Sequence, residues 1–297
     1  MGCGSFSARS YADYSTSVGK TYDSDTGRVS GQVFTSRSID ESLDPKLFKI
    51  RECCNNDEHP NTIPIILGLD VTGSMGDACK ETAEALGVII TNLYKKYKDV
   101  EFCVMGIGDL AYDRGPVQMS QFESDVRIAE ALDKIWMEHG GGGNDYESYT
   151  VAWYMGLKRT MLDCWKQGRK GIIITMGDEP LNPYLPFRKL NAAVKATEQA
   201  DIETKDLYTA VTEKFDVFHI SVDDPADEYY NNASHIDSTF GKLLGHRHKV
   251  ATLQTLSRAI EECISESIGE GTVQNISETA DSDGGTTKVN ENGEVYW

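Results

Sequence analysis

Two continuous apolar runs, each ending in a polar turn, limit most strongly what this chain can fold into. Residues 65–69 are apolar apart from one glycine and end at Asp70, and residues 171–177 end at Asp178. A short strand that is apolar on both faces is typical of a parallel sheet covered by helices. We therefore predict an α/β fold, in which a mostly parallel, Rossmann-like central sheet is flanked by helices on both faces.

The spacing of apolar residues between and after these runs predicts the other elements. Residues 100–107 and 215–222 have the apolar content of further strands. Apolar residues three and four positions apart predict helices at 86–97, from about 147 to 162, at 187–194, at 204–211 and at 253–268. Strands and helices that alternate in this way favour right-handed crossover units, and we see no internal repeat.

The two ends of the chain differ in composition from the segment between them. Residues 1–45 are rich in Ser, Gly, Tyr and Asp and lack helical periodicity, which predicts a flexible or docked arm with a hairpin around Asp25 to Gly27. Residues 46–268 form the predicted α/β domain. Residues 269–297 form an acidic tail, in which Asn292-Gly293 is a hairpin signal.

Charge and cysteine content exclude several functional classes. The 297 residues carry a formal net charge of −18, which disfavours nucleic acid and anionic membrane surfaces as partners. The 7 cysteines fit no zinc-binding spacing, so we interpret them as reduced thiols. We find neither a signal peptide nor an apolar run of transmembrane length, and we expect a cytoplasmic protein.

Asp70, Thr72 and Ser74 follow the first apolar run at alternate positions. Ligands bind beyond the carboxyl ends of strands in open α/β sheets, and one carboxylate with two hydroxyls suits a hard divalent cation. Asp178 reaches the same edge from the second run. The competing interpretation is a helix N-cap or turn, where Asp, Ser and Thr are also favoured. A cap explains one such residue but not three together with a distant strand-end Asp.

The stretch from Asp70 to Met75 resembles the metal-ion-dependent adhesion site of the von Willebrand factor A (VWA) family, Asp-x-Ser/Thr-x-Ser. The resemblance covers roughly residues 60 to 268 and is strongest to uncharacterised bacterial and phage members. It implies that Asp178 faces the metal, often through water. It also implies a ligand after the glycines at 140–143, for which Asn144 is our first choice and Asp145 our second.

The resemblance further implies a function of ligation rather than catalysis. In the family, Mg²⁺ or Mn²⁺ at this site leaves one coordination position for a carboxylate of a protein partner. Intracellular members commonly work in macromolecular assemblies, frequently with AAA ATPases of the MoxR type. We therefore predict a divalent-metal-dependent protein-binding module that is not an enzyme.

Two alternatives remain open. Asp70 at a strand end loosely resembles the nucleophile of Mg²⁺-dependent haloacid-dehalogenase phosphatases, but Thr72 stands where their general acid would be. The chain could also be a structural assembly subunit with a vestigial metal site.

Further acids are expected to form a rim near the predicted site. Like charges this close oppose one another's ionisation unless a cation neutralises them. We expect Asp109 and Asp113 to be loop acids in open water. The other acids of the rim are Asp70, Asp145, Glu147, Asp178 and Glu179.

Overall fold

The structure, a computed structural model, describes residues 4–138, 146–223, 236–279, 288–289 and 295–296. Its centre is a six-stranded sheet. Every neighbouring pair is parallel except the last, at one edge, so the predicted fold class is confirmed. In spatial order the strands are β12 (His248–Ala251), β11 (Phe215–Val222), β8 (Gly171–Gly177), β4 (Ile63–Asp70), β5 (Val100–Ile107) and β6 (Val117–Met119).

Short strands form four additional two-stranded sheets. The hairpin predicted around Asp25 to Gly27 is confirmed, because β1 and β2 pair antiparallel. The tail strands β13 and β14 also pair, and the Asn292-Gly293 turn between them lies outside the described residues. The pairs are β1 (Thr21–Tyr22) with β2 (Val29–Ser30), β3 (Arg51–Cys53) with β7 (Thr160–Leu162), β9 (Tyr184–Leu185) with β10 (Ile202–Glu203), and β13 (Lys288–Val289) with β14 (Val295–Tyr296).

The helices predicted at 187–194 and 204–211 are found at those positions. Three helices were not predicted, at residues 8–17, 127–133 and 240–244. The helix predicted at 86–97 begins earlier, at Gly76, and the helix predicted from 147 to 162 begins later and ends earlier, because Thr160–Leu162 pairs with β3. The last helix continues well past residue 268. The α-helices are α1 (Ala8–Ser17), α2 (Gly76–Lys96), α3 (Arg127–Asp133), α4 (Val151–Arg159), α5 (Phe187–Val194), α6 (Thr204–Thr212), α7 (Phe240–Leu244) and α8 (Leu256–Thr279).

Alternate residues of β4 point into two separate hydrophobic cores. Ile65, Leu67 and Leu69 pack in one core with the apolar sides of α2 and α8. Ile66 packs in the other core with residues of α4, α5 and α6. Burying a side chain of this size stabilises the fold by roughly 1.5–3 kcal/mol. Helices therefore cover both faces of the sheet, as the doubly apolar run predicted.

The amino-terminal segment packs against α2 and α3 through several specific contacts. Ser7 caps α1 in a capping box with Ser10, which compensates for the weak helical pattern of this stretch. The buried ring of Tyr11 lies against Gly87 of α2, where any side chain would collide with it. Arg28 donates two hydrogen bonds, 2.9 and 2.7 Å long, to the carboxylate of Glu81.

All six cysteines in the described ranges are free. No helix in those ranges combines the length and the apolar character that crossing a membrane requires.

Candidate functional site

The candidate site lies at the carboxyl edge of the central sheet, where β5, β4 and β8 end side by side. Leu69 of β4 is in register with Met176 of β8, and Asp70 is in register with Ile107 of β5. Because these strands are parallel neighbours, the loops that follow them emerge at one edge, which is where open α/β sheets bind ligands. The loops bring together acids that are far apart in the sequence.

Asp70 ends β4 with a completely buried carboxylate. One of its oxygens, Oδ1, accepts hydrogen bonds from the backbone N–H of Thr72 at 2.9 Å and from the Thr72 hydroxyl at 2.6 Å. This is a local Asx-type turn, so the turn interpretation is correct for this pair. Because the Thr72 hydroxyl donates its hydrogen to Asp70, its oxygen lone pairs remain available to bind a cation.

The N-cap interpretation of this segment is wrong. Helix α2 begins at Gly76, its N-cap residue is Met75, and no side chain caps it. Asp70, Thr72 and Ser74 all precede that cap and therefore do not satisfy the first turn of the helix. Asp77 in the first turn provides the favourable charge near the helix N-terminus instead.

Asp178 follows β8 and lies beside the turn after β4. Its side chain is 4% exposed, and its carboxylate is hydrogen-bonded to the side chain of Ser74. Its other oxygen, Oδ1, is buried and has no hydrogen-bond partner among the described residues. The structure thus brings together four of the predicted site residues: Asp70, Thr72, Ser74 and Asp178.

Tyr149 holds the second oxygen of Asp70, and our sequence reasoning missed it. Its hydroxyl donates to Asp70 Oδ2 at 2.7 Å and accepts from the backbone N–H of Glu179 at 3.3 Å. The buried ring occupies the space that a side chain at Gly177 would fill, and it packs edge-on against His219 with centroids 5.0 Å apart. Tyr149 therefore joins the end of β4 to the end of β8.

Glu147 lies just before Tyr149 and is also buried, with 6% exposure. An isolated bridge between Glu147 and Leu181 fixes its backbone beside the loop after β8. Its Oε2 atom is buried without a hydrogen-bond partner in the described part of the chain. Two unpartnered carboxylate oxygens, on Asp178 and Glu147, thus lie at this edge.

The expectation that Asp109 is a loop acid in open water is wrong. Asp109 is only 2% exposed. Its Oδ1 accepts a hydrogen bond from the backbone N–H of Ala111 at 2.8 Å and lies 3.4 Å from the Ser148 hydroxyl. Its Oδ2 has no hydrogen-bond partner among the described residues. Asp113 is half-buried, and its carboxylate accepts from the backbone N–H of Asp109.

The pKa values at this edge reflect burial and mutual repulsion. Burial, followed by the charge of Asp178, raises the pKa of Asp70 from 3.8 to about 7. Burial also raises the pKa of Asp178. For Glu147, burial and then the charges of neighbouring carboxylates raise the pKa. Those neighbours are Asp70, Asp113, Asp109 and Glu179.

This donor set fits a hard divalent cation. Mg²⁺ and Mn²⁺ prefer carboxylate, hydroxyl and water oxygens, which Asp70, Thr72, Ser74 and Asp178 can supply. The unpartnered Oδ1 of Asp178 and the raised pKa values point to a missing positive charge. Within the described ranges no three His, Cys, Asp or Glu side chains are grouped to hold a metal alone, so hydroxyl ligands would be essential.

The third-loop residues Asn144 and Asp145 lie outside the described residues. Sequence reasoning missed Tyr149, because no local pattern indicates its contact with Asp70, 79 residues away. Nothing local distinguishes Asp109 from an ordinary loop acid, because its burial depends on Ser148, 39 residues away.

Sequence comparisons leave the chain without an assigned family. No protein-family model matches it. No curated protein matches it either.

Solved structures with a similar fold have low sequence identity to the chain. The open conformation of the pilus adhesin SpaC from Lactobacillus rhamnosus GG is 12% identical over 73% of this chain, with a TM-score of 0.49. Proximal thread matrix protein 1 from the mussel byssus is 11% identical over 69%, with a TM-score of 0.43. The vWF domain of the type V pili tip protein Mfa5 from Porphyromonas gingivalis is 11% identical over 76%, with a TM-score of 0.39. The similar regions make up 31%, 47% and 98% of those chains, respectively.

Proposed function

We propose that the chain is a protein-binding module of the von Willebrand factor A type, whose binding depends on a divalent cation at the carboxyl edge of the sheet. Asp70, Thr72, Ser74 and Asp178 would hold Mg²⁺ or Mn²⁺. Asn144, or else Asp145, would add a ligand from the third loop. When bound, the cation supplies positive charge and an open coordination position, so the proposed role is ligation without catalysis.

The observation that carries this proposal is the meeting of two strand ends. Asp178 reaches Ser74 from a strand more than a hundred residues later, and its other oxygen is buried without a partner among the described residues. A purely structural turn would not need this distant acid. Nor would it leave a buried carboxylate oxygen unsatisfied, because such a group destabilises the fold by about 1–3 kcal/mol.

The partner is proposed to be a protein. In the family that the motif resembles, a carboxylate of the partner completes the metal shell, and AAA ATPases of the MoxR type are one class of partner for intracellular members. Support for a macromolecular ligand comes from the site's place at an edge ringed by exposed loops, where Gly73, Ser74 and Tyr112 are accessible.

Titration calorimetry with Mg²⁺ and Mn²⁺ tests the metal site directly. We expect the wild type to bind one ion, and Asp70→Ala to abolish binding. A matched control is Glu58→Gln, which removes one exposed acid from the turn before β4, at the opposite edge of the sheet.

Equal binding by the wild type and Asp70→Ala would overturn the proposed site. Absence of binding by the wild type would do the same. If metal binds and Mg²⁺ also drives hydrolysis of a generic phosphate ester that Asp70→Ala cannot hydrolyse, the chain is an enzyme and the proposed role is wrong.

A further inference from the structure

The carboxyl edge holds more negative charge than one divalent cation can neutralise. The loops after β4, β5 and β8 and the segment before α4 all contribute acids. Two basic side chains lie in this region: Arg114 is paired with Glu138, and Lys189 donates to the backbone carbonyl of Ala111. The acids are Asp70, Asp77, Asp109, Asp113, Glu147, Asp178 and Glu179.

Two of these acids are held in buried positions by the fold. Glu147 and Asp109 are more than nine-tenths buried, and each has a carboxylate oxygen without a partner among the described residues. Ser148 lies next to Glu147 and is within 3.4 Å of Asp109, so the two acids belong to one connected group. Their unsatisfied oxygens point to a positively charged ligand beyond the metal.

The charge count argues against a carboxylate as the partner's main contact. Seven carboxyl groups outnumber the two positive charges of one divalent cation, so the edge stays acidic even before a partner arrives. Like charges brought together in a partly desolvated interface are strongly disfavoured, whereas opposite charges steer association.

Exposed aromatic rings accompany the acids. Tyr112 in the loop after β5 is 57% exposed, and Tyr184 of β9 is 37% exposed. Lys189 of α5 donates to the backbone carbonyl of Ala111 at 2.8 Å, which holds the Tyr112 loop beside the segment that carries Tyr184. Aromatic faces attract ammonium and guanidinium groups.

We propose that the partner contacts this edge through a lysine or arginine side chain, which pairs with the rim acids Asp113 and Glu179 and packs against the exposed tyrosines. This inference rests on the proposed function and changes its expected partner chemistry. The open metal position would then take water or a neutral oxygen of the partner.

Three synthetic peptides test this proposal. They share a Gly/Ser sequence of nine residues and carry two lysines, two glutamates or two further serines. Binding is measured by fluorescence anisotropy in Mg²⁺ and moderate salt. We expect the lysine peptide to bind at least ~10-fold more tightly than the serine peptide, and more weakly as salt rises. The glutamate peptide should not bind.

Matched double variants separate a local surface from net charge. Asp113→Asn with Glu179→Gln should abolish the preference for lysine. Asp57→Asn with Glu58→Gln, two exposed acids before β4, should retain it. Equal loss in both variants would mean non-specific attraction and would overturn the inference.

The remaining outcomes are equally decisive. Mg²⁺-dependent binding of the glutamate peptide, or no binding of any peptide, would overturn the inference. Both outcomes leave the metal site standing if calorimetry on the same samples detects Mg²⁺. Failure of the metal titration itself would instead count against the proposed function.

Discussion

Two buried aspartates, one at the amino ends and one at the carboxyl ends of the parallel strands, have contrasting surroundings. Asp216, near the start of β11, accepts hydrogen bonds from Arg247 at 3.0 Å and from Ser267 at 2.8 Å, and Lys170 lies 3.8 Å away. Asp178, after the end of β8, has a buried oxygen without a partner among the described residues. As whole residues, Asp216 is 9% and Asp178 is 4% exposed.

This difference in partners distinguishes a carboxylate that stabilises the fold from one that is available to a ligand. A buried carboxylate is tolerated when cations and donors satisfy it, and Asp216 meets that condition within its own chain. Asp178 has a buried oxygen that the described residues leave unsatisfied, and the proposed cation would satisfy it. Asp216 thus has its charge balanced within the described chain, whereas Asp178 does not.

The largest expected effect is the loss of the pairing at Asp216. We expect Asp216→Asn to lower the free energy of unfolding by about 3 kcal/mol, because it removes the buried carboxylate that pairs with the largely buried Arg247. Chemical denaturation measures this change. Lys170→Ala, which removes a more exposed partner, should have a much smaller effect. An unchanged midpoint in Asp216→Asn would mean that the pairing does not stabilise the fold.

Mg²⁺ should stabilise the protein, and more at high pH than at low pH. At a hundredfold excess over its dissociation constant it adds about 2.7 kcal/mol, or roughly 4 °C in Tm. The folded state raises the pKa of Asp70 from 3.8 to about 7, so across that window it holds more protons than the unfolded chain. Stability of the metal-free protein therefore falls as pH rises through this window, while the Mg²⁺-induced gain grows.

Thermal melts at pH 5.5 and pH 8, with and without Mg²⁺, provide the measurement. The pH-dependent difference between wild type and Asp70→Asn isolates the contribution of this one group, because asparagine does not titrate. A Mg²⁺-induced gain that is larger at pH 5.5 than at pH 8 would contradict the prediction.

Removing the charge of Asp178 should strengthen the metal-free fold. We expect Asp178→Asn to raise the free energy of unfolding by about 1–2 kcal/mol at pH 8, because it removes a buried charge with one oxygen that the described residues leave unsatisfied. The same variant should lose the Mg²⁺-induced rise in Tm. A clear loss of stability would place Asp178 with Asp216 among the acids that serve the fold.

The smallest effect is expected at Tyr149. Tyr149→Phe removes the hydroxyl that donates to Asp70 and keeps the ring against Gly177, so we expect about 0.5–1 kcal/mol weaker Mg²⁺ binding by calorimetry. Tyr154→Phe is a matched control, because its hydroxyl donates to Glu198, away from this edge. Equal affinities in the two variants would show that the Tyr149 hydroxyl does not position Asp70.

Much of the fold could be predicted because its signals are local. The sequences of β4 and β8 contain more apolar residues than a strand with one solvent-exposed face would contain, so both were recognised as buried strands. Helix α5 spans the predicted residues Phe187–Val194. Helix α1 was missed because its stability comes from the Ser7 cap and from Tyr11 packing on α2, neither of which is an apolar repeat.

The site was less predictable because its contacts are distant in sequence. Asp70, Thr72 and Ser74 form a contiguous motif and could be recognised together. Tyr149 contacts Asp70 across 79 residues, and no local pattern indicates that contact. The metal-binding role of these residues remains a prediction for the titrations to test.

The strand order also has a consequence for when the site forms. β4 lies between β5 and β8, and β8 emerges from the ribosome about a hundred residues after β4. A growing chain therefore holds Asp70 without Asp178 for much of its synthesis, and pairing of such distant parallel strands is slow. The proposed cation can bind only after β4 and β8 have paired, so we expect it to slow unfolding while leaving the folding rate nearly unchanged.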